Sequence, residues 1–144
     1  MNFSSITCTR RDILKLAASS TTVTLLSAAT SGCGLWKSDL DQAAENMIEL
    51  LDYPERAGEI GAVHIARSAE LQQYSYEQWT RQLLAIVGID PESLSKDTLS
   101  SLHSLLREQI HQDFVDENVV IVNSWMLSDT ELKLCSLAAS YAES

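Results

Sequence analysis

The sequence predicts an all-α protein: a small bundle of about five helices with one short extended segment, preceded by a signal peptide. Three observations lead there. Apolar residues recur at helical spacing in five separate stretches. Only 5 Gly and 2 Pro interrupt 144 residues, too few for the many tight turns of a sandwich. One β-branched run, Val119–Val122, breaks the helical period.

The first element, residues 1–33, reads as a targeting segment. Thr9-Arg10-Arg11-Asp12-Ile13-Leu14-Lys15 sets two adjacent arginines before an apolar pair and a lysine, and so resembles a twin-arginine export motif. Residues 16–29 are apolar but diluted by Ser and Thr, too polar to anchor a helix in a bilayer. The segment ends Ala29-Thr30-Ser31-Gly32-Cys33-Gly34. Small residues before a cysteine resemble a lipobox, in which the Cys33 thiol receives a diacylglycerol and becomes the new N-terminus. Ordinary signal-peptidase cleavage after Ser27-Ala28-Ala29 is the alternative. Either cut places the protein outside the cytoplasm of a bacterium, in the periplasm. Acylation would add a membrane tether through Cys33.

The remaining domain, residues 34–144, has one predicted element after another. Residues 39–51 form the first helix, with Leu40, Ala43, Ala44, Met47, Ile48 and Leu51 as its stripe and Ser38 or Asp39 as cap. Asp41, Glu45 and Glu49 recur every four residues on another face, like charges for water to screen. Pro54 opens a second helix over residues 54–69, with Ala57, Ile60, Gly61, His64, Ile65 and Ser68 on one face. On that face Gly61 permits another helix to approach closely. Ser75 and Gln78 form a capping box for a third helix that runs to Val87. Tyr76, Trp79, Leu83, Ile86 and Val87 are its core positions, and Gly88 ends it. A fourth helix covers residues 97–114, with Leu99, Leu102, Leu105, Leu106, Gln109, Ile110 and Phe114 inward. Residues 119–127 are β-branched and aromatic, a short hairpin or an extended arm. Ser128-Asp129-Thr130-Glu131 then caps the last helix, which runs to Ala142 with Leu134, Cys135, Ala138 and Tyr141 inward.

Charge narrows the partners. From residue 34 onward there are 19 acidic residues and 7 basic ones. Such a surface repels phosphate, so it excludes nucleic acid and electrostatic docking on anionic lipid, and it suits a basic partner.

Catalytic constellations are weak throughout. His64, His103 and His111 do not stand at metal-ligand spacing, and His111-x-Asp113 offers two ligands at most. Cys135 has no CxxC partner and falls on an inward helical face, which suits a buried, inert thiol. Asp113, Asp116 and Glu117 read as a solvated helix end. No Gly-x-Ser-x-Gly elbow, phosphate loop, dinucleotide fingerprint or haem motif occurs. No catalytic residue, metal ligand or cofactor is assigned. What stands out is residues 119–135, where Trp125 is either a core plug or an anchor for a partner, and where Val119–Val122 could extend a partner's sheet.

Trp125-Met126-Leu127-Ser128-x-Thr130-Glu131-x-x-x-Cys135-x-Leu137-Ala138, in a very small chain with a twin-arginine leader, resembles a known group. It is similar to the small subunits that accompany periplasmic flavin-dependent sugar and alcohol dehydrogenases, such as those of fructose, sorbitol and gluconate dehydrogenase. The resemblance covers the leader and about 20 residues near the C-terminus. It implies a chain without chemistry of its own, which brings the twin-arginine translocase to a large oxidoreductase subunit and stabilises that subunit. On the accessory-subunit reading, Arg10 and Arg11 are the export signal, and Trp125, Met126 and Leu127 are the expected partner contacts. Twin-arginine export serves proteins that fold before they cross, and an escorted cofactor enzyme needs that route more than a small bundle does. Two rival expectations stand beside it. One is an independent acidic lipoprotein acting as a structural or binding module at the membrane face. The other is a small enzyme or metal protein built on the histidines.

Overall fold

The computed structural model describes residues 37–144, so Arg10, Arg11 and Cys33 lie outside the described residues. The described chain is mostly helical. In order it forms α1 (Asp39–Ile48), α2 (Pro54–Ile65), α3 (Tyr76–Ile86), α4 (Lys96–Val115), β1 (Val119–Val122), β2 (Trp125–Ser128) and α5 (Asp129–Ala142). Single 3-10 turns at Leu71–Gln73 and Pro91–Ser93 lie on either side of α3.

The helix ends follow from local chemistry. Ser38 caps α1 in a reciprocal box with Asp41. The helix stops at Ile48, three residues before the predicted end. Leu50 and Leu51 instead donate to Met47 and Ile48 in a tightened turn, and Tyr53, at φ −133° and ψ 77°, is kept out of the helical region by the Pro54 that follows. Both leucines still pack on the core. α2 ends at Ile65 rather than at residue 69. Arg67 and Ser68 close tight turns onto His64 and Ile65, and the Ser68 hydroxyl accepts from the Glu70 N–H, which diverts the chain out of the helix. At the end of α3, Gly88 has φ 75°, Gly88 N–H donates to Ala85 and Ile89 N–H to Leu84. That is a Schellman cap, and Ile89 is buried with Leu84 in the core. α4 ends the same way, with Glu117 in the left-handed position at φ 60° and Asn118 N–H on the Asp113 carbonyl.

The extended segment is an antiparallel hairpin, with Val119 opposite Ser128, Val120 opposite Leu127, Ile121 opposite Met126 and Val122 opposite Trp125. Its two-residue loop, Asn123-Ser124, has φ 49° and 70°. Positive φ at both loop residues is the signature of a type I′ turn, whose twist matches paired strands.

Met47, Trp79, Leu83, Leu84, Leu102, Leu106, Leu134 and Leu137 make the centre of the core. α5 is its post: it touches α1, α2, α3, α4 and both strands. Its buried residues include Thr130, Leu132, Ser136, Leu137 and Ala139 besides the predicted Leu134, Cys135 and Ala138. A helix enclosed on most sides needs no single apolar stripe, and its small residues let neighbours close in. Gly61 shows how closely. A Cβ there would lie 2.0 Å from the Cys135 carbonyl oxygen, so α2 and α5 meet backbone to backbone.

Three expectations are corrected. Phe114 is 42% exposed, and Leu105 is exposed too. The buried residue near the end of α4 is Asp113, which turns toward the start of α5. Asp41 and Glu45 are not left to water: Asp41 accepts from the Tyr76 hydroxyl at 2.8 Å, and Glu45 from Tyr141 at 2.7 Å and Lys37 at 2.6 Å. Those bonds hold both carboxylates below their ordinary pKa. Bonding to Glu45, then burial, pushes the Tyr141 hydroxyl up to about 12.

Candidate functional site

The histidines do not converge. His111 is exposed on α4, and His103 Nε2 meets the Asn46 carbonyl across the α4–α1 seam. His64 Nδ1 lies 3.0 Å from Ser136 Oγ, between α2 and α5. This pair has the wrong polarity for a nucleophile and its base. The Ser136 hydroxyl donates to the Leu132 carbonyl at 2.9 Å, so its oxygen accepts from His64 Nδ1–H. Burial, then the Arg67 and Lys133 charges, holds the His64 pKa below its ordinary value. Among the described residues no three His, Cys, Asp or Glu side chains gather as a metal would need. Asp113 of the His111-x-Asp113 fragment is committed elsewhere, accepting from Thr130 N–H at 2.9 Å and from Gln109 Nε2 at 2.9 Å.

Cys135 is a buried free thiol. Burial, with the Glu131 charge behind it, pushes its pKa up to about 11. It therefore stays protonated and weakly nucleophilic near neutral pH.

An open groove of about 630 Å³ lies between α2, the hairpin and the start of α5. The contact of Gly61 with α5 sets how it forms. That contact turns the Ala57–Gly61 side of α2 inward. The flank carrying Tyr53, Arg56, Ile60 and Val63 is left to form one wall. The type I′ turn stands the hairpin opposite, and Asn123, Trp125 and Leu127 form the second wall. Trp125 and Leu127 are alternate residues of β2, so they share one face of the strand, and Asn123 joins them from the turn. Leu51, Glu131 and Cys135 complete the lining.

Two aromatic side chains stand open along this groove. Tyr53 is 76% exposed and Trp125 is 64% exposed. A core plug would be enclosed, so the core-plug reading of Trp125 is set aside. Of the three residues predicted as partner contacts, the structure brings Trp125 and Leu127 to the groove. Met126, 61% exposed, belongs to the other face of the hairpin with Ile121. The α2 wall was missed. Its signal is Tyr53 and Val63, apolar positions just outside the predicted stripe, which line the groove together with Ala57 and Ile60 at that stripe's edge.

No protein-family model, curated protein or solved structure matches the chain.

Proposed function

We propose that this chain is a non-catalytic accessory subunit, which takes a partner periplasmic oxidoreductase through the twin-arginine pathway and stabilises it afterwards. The observation that carries this reading is the exposure of Trp125 on the rim of an open apolar groove. Tryptophan is enriched at binding hot spots, where it supplies a large contact area at little loss of freedom. A folded chain that leaves Trp125 and Tyr53 open beside Leu127 and Ile60 has contact area in reserve for another molecule. Arg10 and Arg11 supply the export signal in this reading, and the resemblance of residues 125–138 to dehydrogenase small subunits supplies the partner class. Any flavin would belong to the partner.

The test is a pull-down of the tagged protein from periplasm and membranes, with mass spectrometry of what accompanies it. Stoichiometric recovery of an oxidoreductase is expected, and Trp125→Ala is expected to weaken it at least tenfold, as loss of roughly 2 kcal/mol at a hot spot would. Recovery unchanged by Trp125→Ala would overturn the assignment of the groove.

One observation favours a second reading, an independent acidic lipoprotein at the membrane face. It is the run of small residues leading to Cys33. That reading expects palmitate labelling that disappears in Cys33→Ser, together with a monomer that brings down no enzyme.

A further inference from the structure

The dimensions of the groove follow from its two walls. Tyr53, Ala57, Ile60 and Val63 lie along one flank of α2 and its cap. From first to last they span about 15 Å of helix axis, nearly three turns. Over that length an incoming helix offers anchors at i, i+3 or i+4, and i+7. The facing wall consists of Trp125 and Leu127 from one face of β2, with Asn123 of the turn beside them. The hydrogen-bonding edges of a strand lie at right angles to that face, so the groove offers no ladder for an added strand.

Charge is distributed unevenly around it. Asp52, Glu59 and Glu131 line the groove against one cation, Arg56, which lies 3.5 Å from Glu59. Among the described residues neither Asp52 nor Glu131 has a cationic partner. The walls are apolar and the rim is acidic.

We infer that the groove receives an amphipathic helix of the partner protein, apolar on one face and flanked by lysine or arginine. This rests on the groove being the partner's docking site, and it adds what the partner must bring. One apolar anchor sits against Trp125 and Leu127, and another against Ile60 and Val63. The flanking cations face Asp52 and Glu131. Burial of the anchors supplies most of the affinity, while the acidic rim selects among helices and speeds encounter.

The experiment uses two fluorescent peptides of about 14 residues, roughly four turns, sharing one apolar stripe. One carries lysine and arginine on its flanks and the other carries glutamate. Each is titrated into the full chain by fluorescence anisotropy, at low and at physiological salt. The basic peptide is expected to bind at least tenfold more tightly, with the gap narrowing as salt rises. Asp52→Lys with Glu59→Lys, both at exposed positions, is expected to close or invert the gap while circular dichroism stays unchanged. Equal binding of both peptides, or binding of neither, overturns the inference. So does a dimer of the chain that Trp125→Ala dissolves, or displacement of the basic peptide by stoichiometric palmitate. The pull-down separates the two proposals. Recovery of an oxidoreductase without peptide selectivity leaves the escort function standing and removes the helix. Selective peptide binding with no oxidoreductase recovered does the reverse.

Discussion

Asp113 belongs to α4 but serves α5. One carboxylate oxygen accepts from the buried Thr130 N–H, within the first turn of α5, where a negative charge also meets the positive end of the helix. Burial pushes its pKa up, but the bonds from Thr130 and Gln109 and the Lys133 charge outweigh that and hold it below the ordinary value. Asp113→Ala leaves both donors without their acceptor. The expected loss is about 2 kcal/mol, seen as a lower urea midpoint with an unchanged slope. Asp113→Asn should keep part of it. Glu117, four residues on, holds φ at 60° without the freedom of glycine. Glu117→Gly should therefore raise stability by about 1 kcal/mol, and a lower midpoint would count against strain at this position. Neither role was legible in the sequence. The Asp113 partner is 17 residues away, and nothing local separates it from Asp116 or Glu117. The Ser128–Glu131 box was legible because both of its bonds close within three residues.

The elements differ in how far periodicity exposes them. α1, α3 and α4 each carry a one-sided stripe, and their positions follow from it to within a few residues. α5 does not, because several neighbours enclose it and its small residues carry no periodic signal. The extended break was legible, with a hairpin as one of two readings, and Asn-Ser, a weaker turn signal than Asn-Gly, did not decide between hairpin and arm. The groove was less legible still. Trp125 marks one wall in the sequence, but the other exists only once α2 and the hairpin face each other. The α2–α5 contact gives a sharp comparison between two glycines of one helix. At Gly61 a Cβ would meet the Cys135 backbone at 2.0 Å, whereas at Gly58 its nearest neighbour is Ala139 N at 3.7 Å. Gly61→Ala must separate the two helices and is expected to lose at least about 3 kcal/mol. Gly58→Ala gains helix propensity and is expected to add up to about 1 kcal/mol. Thermal melts of the two variants should move in opposite directions. Equal shifts would deny the close approach.

The domain as a whole should be most stable over a limited range of pH. The pKa of His64 is depressed from its ordinary 6.5, so the unfolded chain takes up that proton first and stability falls as pH drops below about 6.5. Asp41, Glu45, Glu77 and Asp113 are depressed from 3.8 or 4.5. Their contribution is present above those values and is lost on further acidification. Cys135 is raised from 9.0, and Tyr76 and Tyr141 from 10.0. There the unfolded chain loses protons first, so stability falls again above about pH 9. Melting temperatures measured between about pH 3 and 11, in about 0.15 M salt to screen the acidic surface, should therefore peak between about 7 and 9. A maximum near pH 5 would mean that relief of charge repulsion outweighs these groups. The central place of α5 has a consequence in time as well. Of the described elements, α5, which touches the four other helices and both strands, is the last to be synthesised. While it is still being made, α1, α2 and α3 have no post to close around, and their apolar faces wait for a chaperone or for one another. Under the proposed export route the arginine signal precedes α5, so the translocase would have an address to read before the bundle closes.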